Sequence, residues 1–101
     1  MIEIRFESAS DRAAAYDAEN GREIGYCTFE REEDTAEWVV THTVVDPEYG
    51  GQGIAGRLFQ VIVEEARSIG VKIIPVCSYA KRQFEKKPEY ADVLSPNSAE
   101  F

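Results

Sequence analysis

The sequence has little of what metal centres, covalent crosslinks and catalytic triads are made from. Its 101 residues include two cysteines, one histidine and one methionine. Cys27 and Cys77 are too few for a disulfide scaffold, and no Cys/His pair has zinc-finger spacing. His42 stands alone, so a histidine-rich metal site is not expected and no metal is assigned. Long apolar runs are missing too: none approaches the ~20 residues that cross a bilayer, which argues against a membrane protein. Basic side chains are outnumbered, 11 Lys+Arg against 19 Asp+Glu, for a formal charge of −8. Such a chain is ill suited to nucleic acid, whose binding depends on neutralising phosphates with Lys and Arg. The opening Met1-Ile2-Glu3-Ile4-Arg5-Phe6 reads as a strand rather than a secretion signal, and a cytoplasmic location is the expectation.

What is present describes a folded chain. Hydrophobic residues make up 44% and charged residues 30%, the balance of a globular protein rather than a disordered one. One domain over residues 1–94 is expected, with a flexible tail over residues 95–101. Charge divides unevenly. Residues 1–50 hold 4 Lys/Arg and 13 Asp/Glu, whereas residues 51–101 hold 7 and 6. This asymmetry reads either as plain solubility or as a division of labour, in which the near-neutral half tolerates an anionic ligand and the acidic half attracts a cationic one.

The first half alternates with a period of two. Ile2, Ile4 and Phe6 against Glu3 and Arg5 mark a strand, and a second is expected over residues 13–18. Asn20-Gly21 then signals a hairpin, with a return strand over residues 23–31. An acidic turn, Glu32-Glu33-Asp34, precedes a strand over residues 37–45, with Trp38, Val40, His42 and Val44 expected on one face. From residue 52 to 69 the period becomes helical, with Ile54, Leu58, Val61, Ile62 and Ile69 on one stripe and Gly70 as the stop. A short apolar strand covers residues 71–76. A second helix follows over residues 79–87, with Ser78 as its cap and Pro88 as its end. The expected class is α+β: a mostly antiparallel sheet of about five strands with two main helices. The strong apolar helix face is consumed by the sheet, so a monomer is expected.

Two places carry chemistry. Gly50-Gly51-Gln52-Gly53-Ile54-Ala55-Gly56 lies between a strand and a helix, where unpaired backbone N–H groups and a partial positive charge favour phosphate. It is neither the dinucleotide fingerprint nor a Walker loop, and a plain flexible turn would have the same composition. Cys77 closes the apolar strand at the start of the second helix, where the helix dipole favours a thiolate and Lys81 and Arg82 follow on the first turn. It reads as a nucleophile for a thioester or as a small core residue. Cys27, between Tyr26 and Thr28, reads as packing.

Together these features resemble the GNAT acetyltransferase superfamily: antiparallel strands, a Gly-rich turn, a long amphipathic helix, then a strand. The superfamily's turn follows Arg/Gln-x-x-Gly-x-Gly/Ala, and Gly53 and Ala55 match its second half, with Gly50 where the pattern has Arg or Gln. His42-Thr43-Val44-Val45, the segment from Lys72 to Tyr79 and Pro88-Glu89-Tyr90 are similar to a small single-domain branch, a core without helices between the first two strands. The resemblance implies acetyl-CoA as co-substrate, with its pyrophosphate on Gly50, Gly51, Gln52, Gly53, Ile54, Ala55 and Gly56 and with Arg57 on a phosphate. Free backbone groups near Val44 and Val45 would then grip the pantetheine arm. It also implies an N-acetyltransferase whose acceptor is an amine, cationic by the charge argument. Cys77 would be its acetyl carrier. His42 would be a base, or else a hydrogen-bonded core residue. Tyr79 would be an acid for the leaving thiolate, or else an aromatic anchor beside Phe84. A CoA-binding module with little turnover is the alternative.

Overall fold

The computed structural model describes residues 1–32 and 34–100. Five strands form one sheet in the order of the chain: β1 (Ile2–Glu7), β2 (Arg12–Asp17), β3 (Arg22–Glu32), β4 (Glu37–Val45) and β5 (Lys72–Pro75). The first four are antiparallel neighbours, and β5 lies parallel to β4. Helix α1 (Ile54–Ile69) makes the crossover that a parallel pair requires. Helix α2 (Ser78–Lys86) follows β5, and a 3₁₀ segment runs over Pro88–Val93. This is the α+β arrangement that the sequence predicts, with two α-helices and 3₁₀ turns among the described residues. The acidic turn expected at residues 32–34 includes Glu33, which lies outside the described residues.

Helix α1 buries Ile54, Leu58, Phe59, Ile62, Val63 and Ala66 against the sheet. Each of these side chains other than Ala66 is worth about 1.5–3 kcal/mol when removed from water. The stripe differs from the expected one at its edges. Phe59 and Val63 are fully buried, Val61 is half-buried, and Ile69 is exposed beside the terminating Gly70. Phe59 anchors a second layer: its ring meets Tyr79, Phe84 and Tyr90 edge-on, at centroid distances of 6.5, 5.6 and 5.7 Å. Across the sheet, Phe29 stacks on Trp38 at 4.2 Å.

One irregularity decides the site. The β3–β4 register runs Cys27↔Thr43 and Thr28↔His42, then jumps to Phe29↔Val40. Thr41 is the extra residue of a β-bulge, and a bulge reverses the side-chain alternation beyond it. Trp38 and Val40 therefore share the α1 face with Thr43 and Val45, while His42 and Val44 turn to the opposite face. The expected single face of Trp38, Val40, His42 and Val44 is thus broken in the middle of β4.

The chain end also departs from expectation. Ser95 is buried, its N–H donates to the Ile73 carbonyl at 2.9 Å, and its hydroxyl meets the Glu37 carboxylate. A polar segment that reads as a loose tail is instead fastened to β5 at Ser95 and continues as a 3₁₀ turn over Pro96–Glu100. Phe101 lies outside the described residues.

Candidate active site

The bulge coincides with the point where β4 and β5 part. Their paired residues end at Val40↔Pro75, and the Val76 and Cys77 N–H groups both converge on the Val40 carbonyl, at 3.0 and 3.2 Å. Beyond Val40, β4 continues to Val45 with β3 on one side and, among the described residues, no strand on the side that β5 has left. The Asp46 N–H bonds to the Ile24 carbonyl at 2.8 Å. By the alternation of an antiparallel ladder, Val44 and His42 then face β3, and Thr43 and Val45 turn their amide groups to the open edge. Of the two residues singled out from sequence, Val45 supplies the edge and Val44 does not.

That edge leads to the glycine loop. Val45, Tyr49, Gly50, Gly51, Gly53, Ile54, Ala55, Gly56 and Tyr79 line a cavity of about 220 Å³. Val44 lines a second hollow, with Tyr26 and Pro47, which Val45 also borders. Gly53 is the cap residue of α1 with φ of 73°, no side chain caps the helix, and no acidic residue occupies its first turn. The first-turn N–H groups and the positive end of the dipole therefore face the cavity with no acidic side chain in that turn. A Cβ built on Gly53 would meet nothing within 4 Å, so the left-handed backbone, not crowding, requires glycine there. Gln52 is exposed on the same loop. Arg57, also exposed, donates to the Ile2 carbonyl at 3.4 Å, which directs part of its guanidinium to β1.

The structure brings Tyr79 to this loop. A Cβ on Gly56 would lie 3.5 Å from the Tyr79 hydroxyl oxygen. Burial pushes the Tyr79 phenol above its ordinary range, so it is protonated near neutrality and available as a donor.

Cys77 is the cap of α2, in place of the expected Ser78. Its backbone is extended (φ −72°, ψ 146°) and its Sγ accepts from the Ala80 N–H at 3.4 Å. The Thr43 hydroxyl lies 3.6 Å from Cys77 Sγ and donates to Cys27 Sγ at 3.4 Å. Burial pushes the Cys27 thiol up to about 11, the pattern of a packing cysteine. His42 is exposed on the opposite face of β4 and is not brought beside the Cys77 sulfur. Sequence reasoning missed Thr43, and its only signal was its position directly after His42. It also missed Tyr49, whose side chain lines the cavity.

An uncapped helix start, an open strand edge leading from it and a half-buried thiol on a second helix start together suit a long anionic ligand that ends in an electrophile. The family described as GCN5-related N-acetyl-transferase matches residues 12–93. Among solved structures, the chain is similar to a protein of Staphylococcus aureus classed as a GCN5-like N-acetyltransferase. Identity is 36% and the TM-score 0.71, over 92% of this chain and 87% of that one. It shares the fold, at 18% identity and a TM-score of 0.63, with N-acetylglutamate synthase of Neisseria gonorrhoeae, over 77% of this chain and 18% of that one. An Escherichia coli GNAT protein, YhbS, shares it at 19% identity and 0.59, over 74% of this chain and 61% of that one. No curated protein matches the chain in sequence. The chain belongs to the GCN5-related N-acetyltransferase family.

Proposed function

We propose that this N-acetyltransferase draws its acetyl group from acetyl-CoA and delivers it to a cationic amine. The observation that carries the reading is the uncapped α1 start at left-handed Gly51 and Gly53, opening on a cavity that runs to the free edge of β4. The Neisseria and YhbS structures were both solved with coenzyme A, and the donor set here fits the same ligand. Backbone N–H groups of residues 51–56 would hold the diphosphate, which suits a loop with Gly50 in place of a side-chain donor. Thr43 and Val45 would pair with the amides of the pantetheine arm. Acetyl-CoA supplies an acyl thioester, an electrophile activated for transfer.

Cys77 carries the acetyl group in this reading. Its thiol first loses its proton to solvent; the thiolate lone pair then forms the S–C bond to the acyl carbon, and the C–S bond to the coenzyme breaks with its electrons leaving on the coenzyme sulfur. Tyr79 gives that sulfur a proton. The acceptor must be a free amine, since ammonium has no lone pair. Its nitrogen then bonds the acyl carbon, Cys77 leaves as thiolate, and the proton released from the nitrogen as the amide forms returns the Tyr79 phenolate to the phenol. The ammonium sheds its proton to solvent before attack, because His42, the base expected from the sequence, lies exposed on the face of β4 opposite Cys77. The acidic first half of the chain favours a polyamine or a lysine side chain.

Intact mass after incubation with acetyl-CoA tests the covalent route: one acetyl group on Cys77 supports it, and Cys77→Ser with undiminished turnover rejects it in favour of direct transfer. A second reading, a CoA-binding module with little turnover, draws support from His42 lying on the face opposite Cys77. Thiol release from acetyl-CoA across a panel of amines separates the two.

A further inference from the structure

We propose that Thr43 is the positioning residue for the Cys77 sulfur, its hydroxyl switching from acceptor toward the thiol to donor toward the thiolate. The inference rests on the reading that Cys77 carries the acetyl group. A hydroxyl has one hydrogen and two lone pairs. Thr43 Oγ1 lies between two sulfurs, 3.4 Å from Cys27 Sγ and 3.6 Å from Cys77 Sγ, and in the resting arrangement its hydrogen points to Cys27. Cys77 can then only donate its S–H to the Thr43 oxygen. Once Cys77 is a thiolate it needs donors, and a rotation about the Thr43 Cβ–Oγ1 bond turns the same hydrogen onto it. The Ala80 N–H already supplies one donor at 3.4 Å, so Thr43 completes a pair on the sulfur and fixes its lone pairs toward the open β4 edge.

Cys27 suits the other end of this device. It is fully buried, and that burial holds it as a thiol through neutral pH, so it competes for the Thr43 hydrogen only as a weak neutral acceptor. The bulge at Thr41 is what delivers Thr43 to this place; without it the alternation would aim His42 at the two sulfurs. The same strand provides a control. Thr41 and Thr28 share a hydroxyl bond of 2.9 Å on the opposite face, away from either thiol.

The test compares Thr43→Val, Thr43→Ser and Thr41→Val by the rate at which native Cys77 is alkylated by iodoacetamide at one neutral pH. Loss of a hydrogen bond to a charged sulfur should slow Thr43→Val about three- to tenfold. Thr43→Ser should restore the rate, Thr41→Val should leave it unchanged, and the infrared S–H stretch should shift only where the hydroxyl is gone. Equal rates in Thr43→Val and the native protein, or failure of serine to rescue, would overturn the proposal. Cys27→Ala gives an independent reading, because it frees the Thr43 hydrogen for Cys77. Alkylation at least as fast as native supports the switch, and slower alkylation refutes it. Full turnover by Cys77→Ser would dismiss the acetyl carrier but leave these alkylation rates, and the role of Thr43 at the sulfur, to stand or fall by themselves.

Discussion

The Tyr49 hydroxyl donates to Asp17 across 2.7 Å and ties the turn ahead of α1 to the end of β2. Arg22 adds a second tie, at 2.6 Å to Asp46 and 3.5 Å to Glu48. The glycine loop therefore starts from a held point rather than from a swinging strand end. Tyr49→Phe keeps the ring and removes the donor. Affinity for coenzyme A should fall roughly two- to fivefold, as for the loss of one part-buried hydrogen bond. The Tyr49 bond also holds the Asp17 carboxyl below its ordinary range. A lowered carboxylate contributes at neutral pH and loses its contribution as pH falls below that range. Native affinity should therefore drop more steeply on acidification than that of Tyr49→Phe. Calorimetric titrations at neutral and acid pH check this, and parallel curves would refute it.

Gly53 is left-handed with φ of 73°, and open space surrounds the position of its missing Cβ. A side chain there would strain the backbone and project toward the place assigned to the diphosphate. Gly53→Ala should cost about 1–2 kcal/mol in urea denaturation, the penalty of a left-handed L-residue. Gly53→Asn should cost less, because asparagine tolerates this region. Both should weaken coenzyme A binding, and valine should abolish it. A valine variant with native affinity would refute the placement of the diphosphate.

Much of this fold is legible in the sequence because its signals are local. The alternation of Ile2, Ile4 and Phe6, the Asn20-Gly21 turn and the 3.6-residue stripe from Ile54 each follow from neighbouring residues alone. The glycine loop is legible for the same reason, and Cys77 is visible as a thiol at a strand end. What escapes is set by distant partners. Nothing around Thr41 marks it as an extra residue, so the faces of His42 and Thr43 are exchanged relative to simple alternation. Ser78 is the better cap by residue type, yet the extended backbone falls on Cys77. Ser95 reads as tail because its partners, Ile73 and Glu37, are far away in the chain.

Gly25 offers a test of the open edge from inside the sheet. A Cβ there would lie 2.9 Å from the Val44 carbonyl oxygen and 3.3 Å from a Val45 methyl carbon. The first neighbour is backbone and cannot swing aside, so Gly25→Ala must push β4 outward where it forms the edge. Crowding of this kind costs about 1–3 kcal/mol. Coenzyme A affinity should fall with stability, whereas a change at a buried residue that lines no part of the cavity, such as Val93→Ala, should lower stability alone. Amide shifts of Thr43 and Val45 on adding coenzyme A report the edge directly, and their persistence unchanged in Gly25→Ala would refute the link.

The two cysteines should behave as different chemical species. Cys77 is half-buried and Cys27 is fully buried, so a thiol reagent should titrate one group in the native protein and both after unfolding. Burial raises the Cys27 thiol to about 11. A group with a raised folded value keeps its full contribution below the ordinary thiol range and loses it as pH rises through about 11. The loss amounts to roughly 2–3 kcal/mol at most. Burial raises Tyr79 and Tyr90 as well, with the same sign, so they share the alkaline slope. Cys27→Ala should therefore flatten the fall in unfolding free energy above neutral pH without abolishing it. Urea denaturation at a series of alkaline pH values measures the slope, and identical slopes in the two proteins would show that the Cys27 thiol does not resist ionisation.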